Sequence, residues 1–238
     1  MLPTVDAIYP LAKGVFWPWL HFGLRWTIEG AEHIPASGPV ILASNHISYL
    51  DPLTLAYVAD QRHRRVRYLA KAELFAKPGF GTLLRAAHQI PVERGKGDAA
   101  GALAAAVTAL DRGECVAVFP EGTISMDLEP MRGKSGTARL AQQAAAPVVP
   151  VGLWGSHRMM MKGRKPEWHW RIPQVAVVGA PLTFEADEHV KHATDRLMEA
   201  VAVCVARARE LYPQRPVPGE DPWWWREPET VRAHQRSA

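Results

Sequence analysis

The stretch Ser44-Asn45-His46-Ile47-Ser48-Tyr49-Leu50-Asp51-Pro52 sets one imidazole and one carboxylate in a single short segment. An imidazole with an ordinary pKa near ~6.5 accepts a proton at neutral pH, and a carboxylate beside it fixes its tautomer and stabilises the imidazolium. The pair reads as a general base, His46, with Asp51 orienting it. Ser48 is a loop hydrogen-bonder rather than a nucleophile, because no G-x-S-x-G surrounds it. The segment is thus a base without a nucleophile of its own. Asp51 also has a plainer job open to it, since Asp followed by Pro52 has the form of a helix N-cap with proline at the first helical position.

These side chains need a frame. The apolar run Val40-Ile41-Leu42-Ala43 reads as a strand leading into the segment, and residues 51–59 read as the helix leaving it. Further strand patterns lie at Thr27-Ile28-Glu29, Arg67-Tyr68-Leu69-Ala70, Gln89-Ile90-Pro91-Val92, Cys115-Val116-Ala117-Val118-Phe119, residues 147–153 and Val175-Ala176-Val177-Val178. Helical patterns over 98–112, 137–145 and 188–211 alternate with them. That alternation predicts an α/β fold with a mainly parallel central sheet flanked by helices. Ligands of such sheets bind beyond the carboxyl ends of the strands, so loops starting at Asn45, Lys71, Arg94, Glu121 and Trp154 can converge on one crevice.

Two flanking segments have a different character. Residues 1–26 carry Tyr9, Phe16, Trp17, Trp19, Phe22 and Trp26, and read as one or two short helices broken near Pro18. From the residues alone this arm either lies in a membrane interface or covers the core. The tail, residues 213–238, is rich in proline and charge and holds Trp223-Trp224-Trp225. It is expected to lack a core of its own, and the three tryptophans dock on the domain, touch lipid or do neither. The domain proper is residues 27–212.

Composition narrows the classes. At 238 residues, 47% hydrophobic and 22% charged, the chain fits one sizeable globular domain with appendages. A net charge of +4 calls for no nucleic-acid partner. The cluster Arg62-His63-Arg64-Arg65-Val66-Arg67 reads as a solvated helix end and loop. Cys115 and Cys204 are expected to be reduced core residues, and the histidines show no metal-ligand spacing, so no metal is expected. Lys13, Pro18, His21 and Arg25 interrupt the best apolar stretch, which argues against a spanning helix, and no basic n-region opens a cleavable signal. The chain is expected on the cytoplasmic side.

Asn45-His46 with Asp51, Ile90-Pro91-Val92-Glu93-Arg94, Phe119-Pro120-Glu121-Gly122-Thr123 with Ser125, and Val149-Pro150-Val151 occur in the order of four motif blocks. In this the chain resembles the glycerolipid acyltransferase family, in its 1-acylglycerol-3-phosphate acyltransferase branch, over about residues 27–185. The resemblance implies transfer of an acyl group from acyl-CoA or acyl carrier protein to a lysophospholipid hydroxyl, giving phosphatidic acid, with no acyl-enzyme and no cofactor beyond the donor. It implies that Arg94 grips the acceptor phosphate, that Glu121, Gly122 and Thr123 shape the acceptor site, and that Lys71 is substrate-binding, while Lys134 matches a less constant basic position of the family. A carboxylate beside a phosphate repels it, so Glu121 is expected to pair with a basic residue or to hold the loop. The resemblance also favours a membrane surface with anionic lipids as partner for the arm, and a peripheral or monotopic place on the cytoplasmic face of the cell membrane. The competing readings are the same chemistry on glycerol-3-phosphate, another lysophospholipid or a glycolipid, a non-catalytic lipid-binding module, and a thioesterase.

Overall fold

The computed structural model describes residues 5–92, 99–219 and 221–226. A seven-stranded sheet runs in the order β1-β7-β6-β2-β5-β3-β4. Its strands are β1 (Leu24–Glu29), β2 (Val40–Ser44), β3 (Val66–Lys71), β4 (Ile90–Val92), β5 (Cys115–Val118), β6 (Val148–Trp154) and β7 (Ile172–Val178). All neighbours pair in parallel except β6 with β7. The fold is α/β with a mainly parallel sheet, as the alternation of elements required.

Burial follows position in the sheet. The central strands β2 and β6 are buried at every residue, as strands covered on both faces must be, whereas β1 alternates at the edge. Ile41 and Ala43 of β2 face a core closed by α5 (Ala99–Asp111), α6 (Gly136–Ala144) and α7 (Val190–Leu211). Val40 and Leu42 face the opposite core, closed by Leu55 and Val58 of α2 (Asp51–Asp60). Gly152 of β6 lets α7 approach at backbone distance, because a Cβ there would lie 2.3 Å from the carbonyl carbon of Cys204. Two short helices, α3 (Ala72–Phe75) and α4 (Phe80–Ala86), follow β3.

The N-terminal arm is one helix, α1 (Val5–Gly23), continuous through Pro18, where a break was expected. Anchors on both sides of the proline hold it against α2 and the sheet. Lys13 Nζ and Trp17 Nε1 each donate to the Asp60 carboxylate at 2.6 Å, and Leu20 is buried beside Leu24, Tyr57 and Ile172. His21 Nδ1 meets the Tyr57 hydroxyl at 2.8 Å, and the Trp26 ring stacks on Tyr57 at 4.3 Å. No helix among the described residues is long and apolar enough to cross a membrane.

Within the basic cluster, one residue departs from the solvated helix end and loop that were expected. Arg64 is buried and donates to the carbonyls of Pro35, Gly38 and Gly113 at 2.9, 2.6 and 3.0 Å, pinning three turns at the amino end of the sheet. A guanidinium is buried at tolerable cost only when its donors are met in this way. Cys115 and Cys204 are free and buried, and burial pushes their thiols up to about 12 and about 11.

Candidate active site

The site forms where β2 and β5 end. β2 runs out at Ser44, and the Asn45 side-chain amide then extends the ladder to β6: its Nδ2 donates to the Leu153 carbonyl at 3.0 Å and its Oδ1 accepts from the Leu153 N–H at 2.8 Å. This clamp fixes the backbone immediately before His46.

Nδ1 of His46 lies 2.8 Å from Oδ2 of Asp51, which is fully buried. The same oxygen accepts the main-chain N–H groups of Ile47 and Ser48 at 2.6 and 2.7 Å, and Oδ1 accepts the Ser156 hydroxyl at 2.6 Å. Asp51 is therefore not the cap of α2. Leu50 occupies the N-cap, Asp51 is the first helical residue, and its carboxylate turns back to gather the preceding loop. With its Nδ1 proton donated to Asp51, His46 presents the Nε2 lone pair, which has no partner among the described residues. The imidazole stacks on Phe119 at 4.2 Å and 20° between planes, so the end of β5 sets the ring's tilt.

Ser48 is engaged elsewhere. Its hydroxyl meets the carbonyls of Ser156 and Met160 at 3.1 and 2.7 Å and accepts from the Leu50 N–H at 3.0 Å. The one serine between His46 and Asp51 is a loop fastener.

Glu121, buried in the loop after β5, accepts the His46 main-chain N–H on Oε1 at 3.1 Å. Its Oε2 is buried without a partner among the described residues. Burial pushes the carboxyl up to about 7, and the His46 N–H opposes that shift. Among the described residues Glu121 is joined to no basic residue by an ion pair, and its bond to the His46 N–H is the loop-holding arrangement. Gly122 turns at φ +71, closed by its N–H on the Phe119 carbonyl at 3.0 Å. A Cβ there would sit 2.6 Å from Lys134 Nζ, so the glycine leaves room for that amine beside the turn. Thr123 is exposed. Lys71 ends β3, two strands from His46, and its side chain is outside the described residues, as is the whole of Arg94. The geometry thus joins His46, Asp51 and Glu121.

Two residues at the site escaped sequence reasoning. Ser156 follows β6 and carries no motif signal; only the expectation that the loop after Trp154 reaches the crevice pointed its way. Ser125 was noted only as part of a motif block, yet its N–H donates to the His46 carbonyl at 2.7 Å while its hydroxyl meets Asp127 Oδ1 at 2.7 Å and the Glu129 carbonyl at 2.8 Å.

A family model described as Acyltransferase matches residues 25–154, which takes in β1 from its second residue through β6, and with them His46, Asp51, Lys71, Arg94 and Glu121. The chain belongs to the acyltransferase family. This acyltransferase is 28% identical over 187 residues to the 1-acyl-sn-glycerol-3-phosphate acyltransferase of Bacillus subtilis (strain 168), covering 77% of this chain and 86% of that protein. It is 36% identical over 132 residues to the 1-acyl-sn-glycerol-3-phosphate acyltransferase alpha of Homo sapiens, covering 55% of this chain and 46% of the human one, so it spans about half of that relative's length. The crystal structure of the 1-acyl-sn-glycerophosphate (LPA) acyltransferase, PlsC, from Thermotoga maritima matches with a TM-score of 0.64 at 26% identity, covering 90% of this acyltransferase and 81% of that chain.

Proposed function

We propose that the protein acylates the free hydroxyl of 1-acylglycerol-3-phosphate with an acyl chain from acyl-CoA or acyl carrier protein, giving phosphatidic acid. The observation that carries this reading is the His46–Asp51 pair, with Nε2 unengaged among the described residues and Ser48 fastened to main-chain carbonyls. Nε2 takes the proton of the acceptor hydroxyl as its oxygen attacks the thioester carbonyl carbon. Asp51 holds the ring and stabilises the imidazolium. The tetrahedral intermediate then collapses, the carbon–sulfur bond breaks, and the imidazolium returns its proton to the leaving thiolate. Binding both substrates in one crevice supplies the nucleophile that the protein lacks.

Arg94, Lys71 and the turn at Glu121, Gly122 and Thr123 are proposed to hold the acceptor. Glu121 fits this as a carboxyl about half protonated near pH 7, which lessens the repulsion a phosphate would feel. No cofactor beyond the donor is needed for the proton and acyl transfers described.

The acceptor is drawn from a bilayer, and the arm suits that task. Phe16, Phe22, Trp168 and Trp170 are exposed around α1, with Trp19 edge-on to Trp168 at 5.8 Å and Trp170 against Gly23. Aromatic rings grouped in this way settle at headgroup level, which favours a peripheral or monotopic seat on a membrane surface, with the cytoplasmic face the side expected. The test is release of free thiol from acyl-CoA by the purified protein, with and without 1-acylglycerol-3-phosphate, and mass spectrometry of the lipid product. Acceptor-dependent release with phosphatidic acid formed is the expected result; equal hydrolysis without acceptor would make it a thioesterase.

A further inference from the structure

The C-terminal segment does not trail away from the domain. Trp224 is buried, and its carbonyl accepts from Nε2 of His157 at 2.8 Å. His157 is itself fully buried, and burial holds its ring neutral, down at about 3. Three arginines lie over the three tryptophans: Arg164 on Trp223 and Arg158 on Trp224, both at 3.9 Å, and Arg215 on Trp225 at 4.4 Å. Arg158 also donates to the side chains of Tyr212 and Gln214, so the segment is fastened where it leaves α7. Arg164 and Arg215 are exposed and Arg158 is part-buried, so each cation–π contact is modest by itself, and three of them fall along one short stretch.

What this segment covers gives it a role. The turn under Trp224 is Ser156-His157-Arg158, and Ser156 is the residue whose hydroxyl holds Asp51 Oδ1 at 2.6 Å. Gly155, at φ +113, makes that turn, and a Cβ there would lie 2.2 Å from the Pro173 carbonyl oxygen. A second path runs through Arg226, whose Nε donates to the Asp127 carbonyl at 2.9 Å. Asp127 Oδ1 accepts from Ser125, whose N–H holds the His46 carbonyl. The segment therefore reaches the Asp51 carboxylate on one side and the His46 backbone on the other.

We propose that residues 212–219 and 221–226 are a positioning strap for the His46–Asp51 pair, and that Ser156 is the positioning residue through which the strap fixes the Asp51 carboxylate. The proposal rests on the catalytic reading above, with His46 as base. Ser156 meets the Asp51 carboxylate and the Ser48 hydroxyl, so it acts on the imidazole through Asp51. It occupies Oδ1, so that Oδ2 alone faces the imidazole and the ring has a single orientation. The charged and titratable groups around the pair are Asp51 itself, Glu121 on the His46 N–H, and Asp127 beyond Ser125. A change at residue 156 takes one donor from Asp51, and Arg226 of the strap bears on Asp127, whereas Glu121 is touched by neither.

The experiment uses the full-length protein and two variants, Ser156→Ala and Arg158→Gln. Arg158 is only part-buried, so its replacement loosens the strap without opening the core. The first readout is the low-field proton resonance of the His46 Nδ1–H donated to Asp51. It is expected to shift and broaden strongly in Ser156→Ala and in the same direction, less, in Arg158→Gln. The second is the division of any kinetic effect, with kcat down roughly tenfold in Ser156→Ala and KM for both substrates within about twofold, as loss of orientation alone requires. An unmoved resonance in both variants, or a loss confined to melting temperature, overturns the proposal. The resonance is read without turnover, so absence of acyl transfer by the wild type would remove the proposed function while leaving the strap's effect on the pair still measurable.

Discussion

His46 and Asp51 stand at 2.8 Å, and the carboxylate that meets the imidazole also receives two main-chain N–H groups and a serine hydroxyl. Four donors on one buried carboxylate fix its place more firmly than a helix cap would. Asp51→Asn puts an amide N–H₂ where acceptors are needed, so at least one buried donor is left facing a donor. Stability is expected to fall by about 1–3 kcal/mol, and acyl transfer by roughly a hundredfold or more through loss of the imidazolium's partner. Thermal melts and thiol release on the same preparation check both.

Glu121 predicts a pH effect on stability. Its carboxyl is raised in the folded protein to about 7 from the ordinary 4.5. The folded state therefore binds the proton more tightly, and this contribution is full below 4.5 and lost as pH rises through about 7. His157 acts with the opposite slope, because its folded value near 3 lies below the ordinary 6.5. Comparing Glu121→Gln with wild type at each pH cancels the His157 part. The variant's melting temperature is expected to gain on wild type from pH 4.5 to 7 and to hold a constant difference above that. A difference independent of pH would contradict the assignment.

Arg64 predicts a stability effect far from the chemistry. Arg64→Met leaves the carbonyls of Pro35, Gly38 and Gly113 without their donor. A loss of about 2–4 kcal/mol is expected, read as a lower denaturation midpoint, with kcat within about twofold of wild type.

The exposed rings around α1 predict a membrane effect. Phe22→Glu together with Trp170→Glu is expected to weaken partitioning onto anionic vesicles at least tenfold, since each ring removed from water contributes about 1.5–3 kcal/mol. Co-sedimentation with vesicles measures it. Unchanged partitioning would show that the arm covers the core and nothing more.

The sheet and its order of elements were legible because fully buried strands and amphipathic helices leave different periods in the sequence. Parts of the site were legible for another reason: the chemistry of His46 and Asp51 is recognisable from the two residues themselves, whereas Glu121 stood out only through the resemblance of its motif block. Ser156 was not, since it meets Asp51 across 105 positions and only the fold brings β6 to α2. Arg64 sat in a run of arginines, and nothing in the run distinguishes the one whose guanidinium meets three carbonyls. Pro18 was read as a break because proline removes a helical hydrogen bond, but Lys13, Trp17 and Leu20 hold both sides of it in place. Trp223, Trp224 and Trp225 gave no direction at all until Arg164, Arg158 and Arg215 were seen above them.

The most direct test of the central claim is thiol release from acyl-CoA in the presence of 1-acylglycerol-3-phosphate by His46→Ala against wild type, with melting curves showing both folded. Removing the base is expected to lower acceptor-dependent release by roughly a hundredfold to ten-thousandfold. A His46→Ala protein that releases thiol at the wild-type rate would contradict the account of His46 as the proton acceptor.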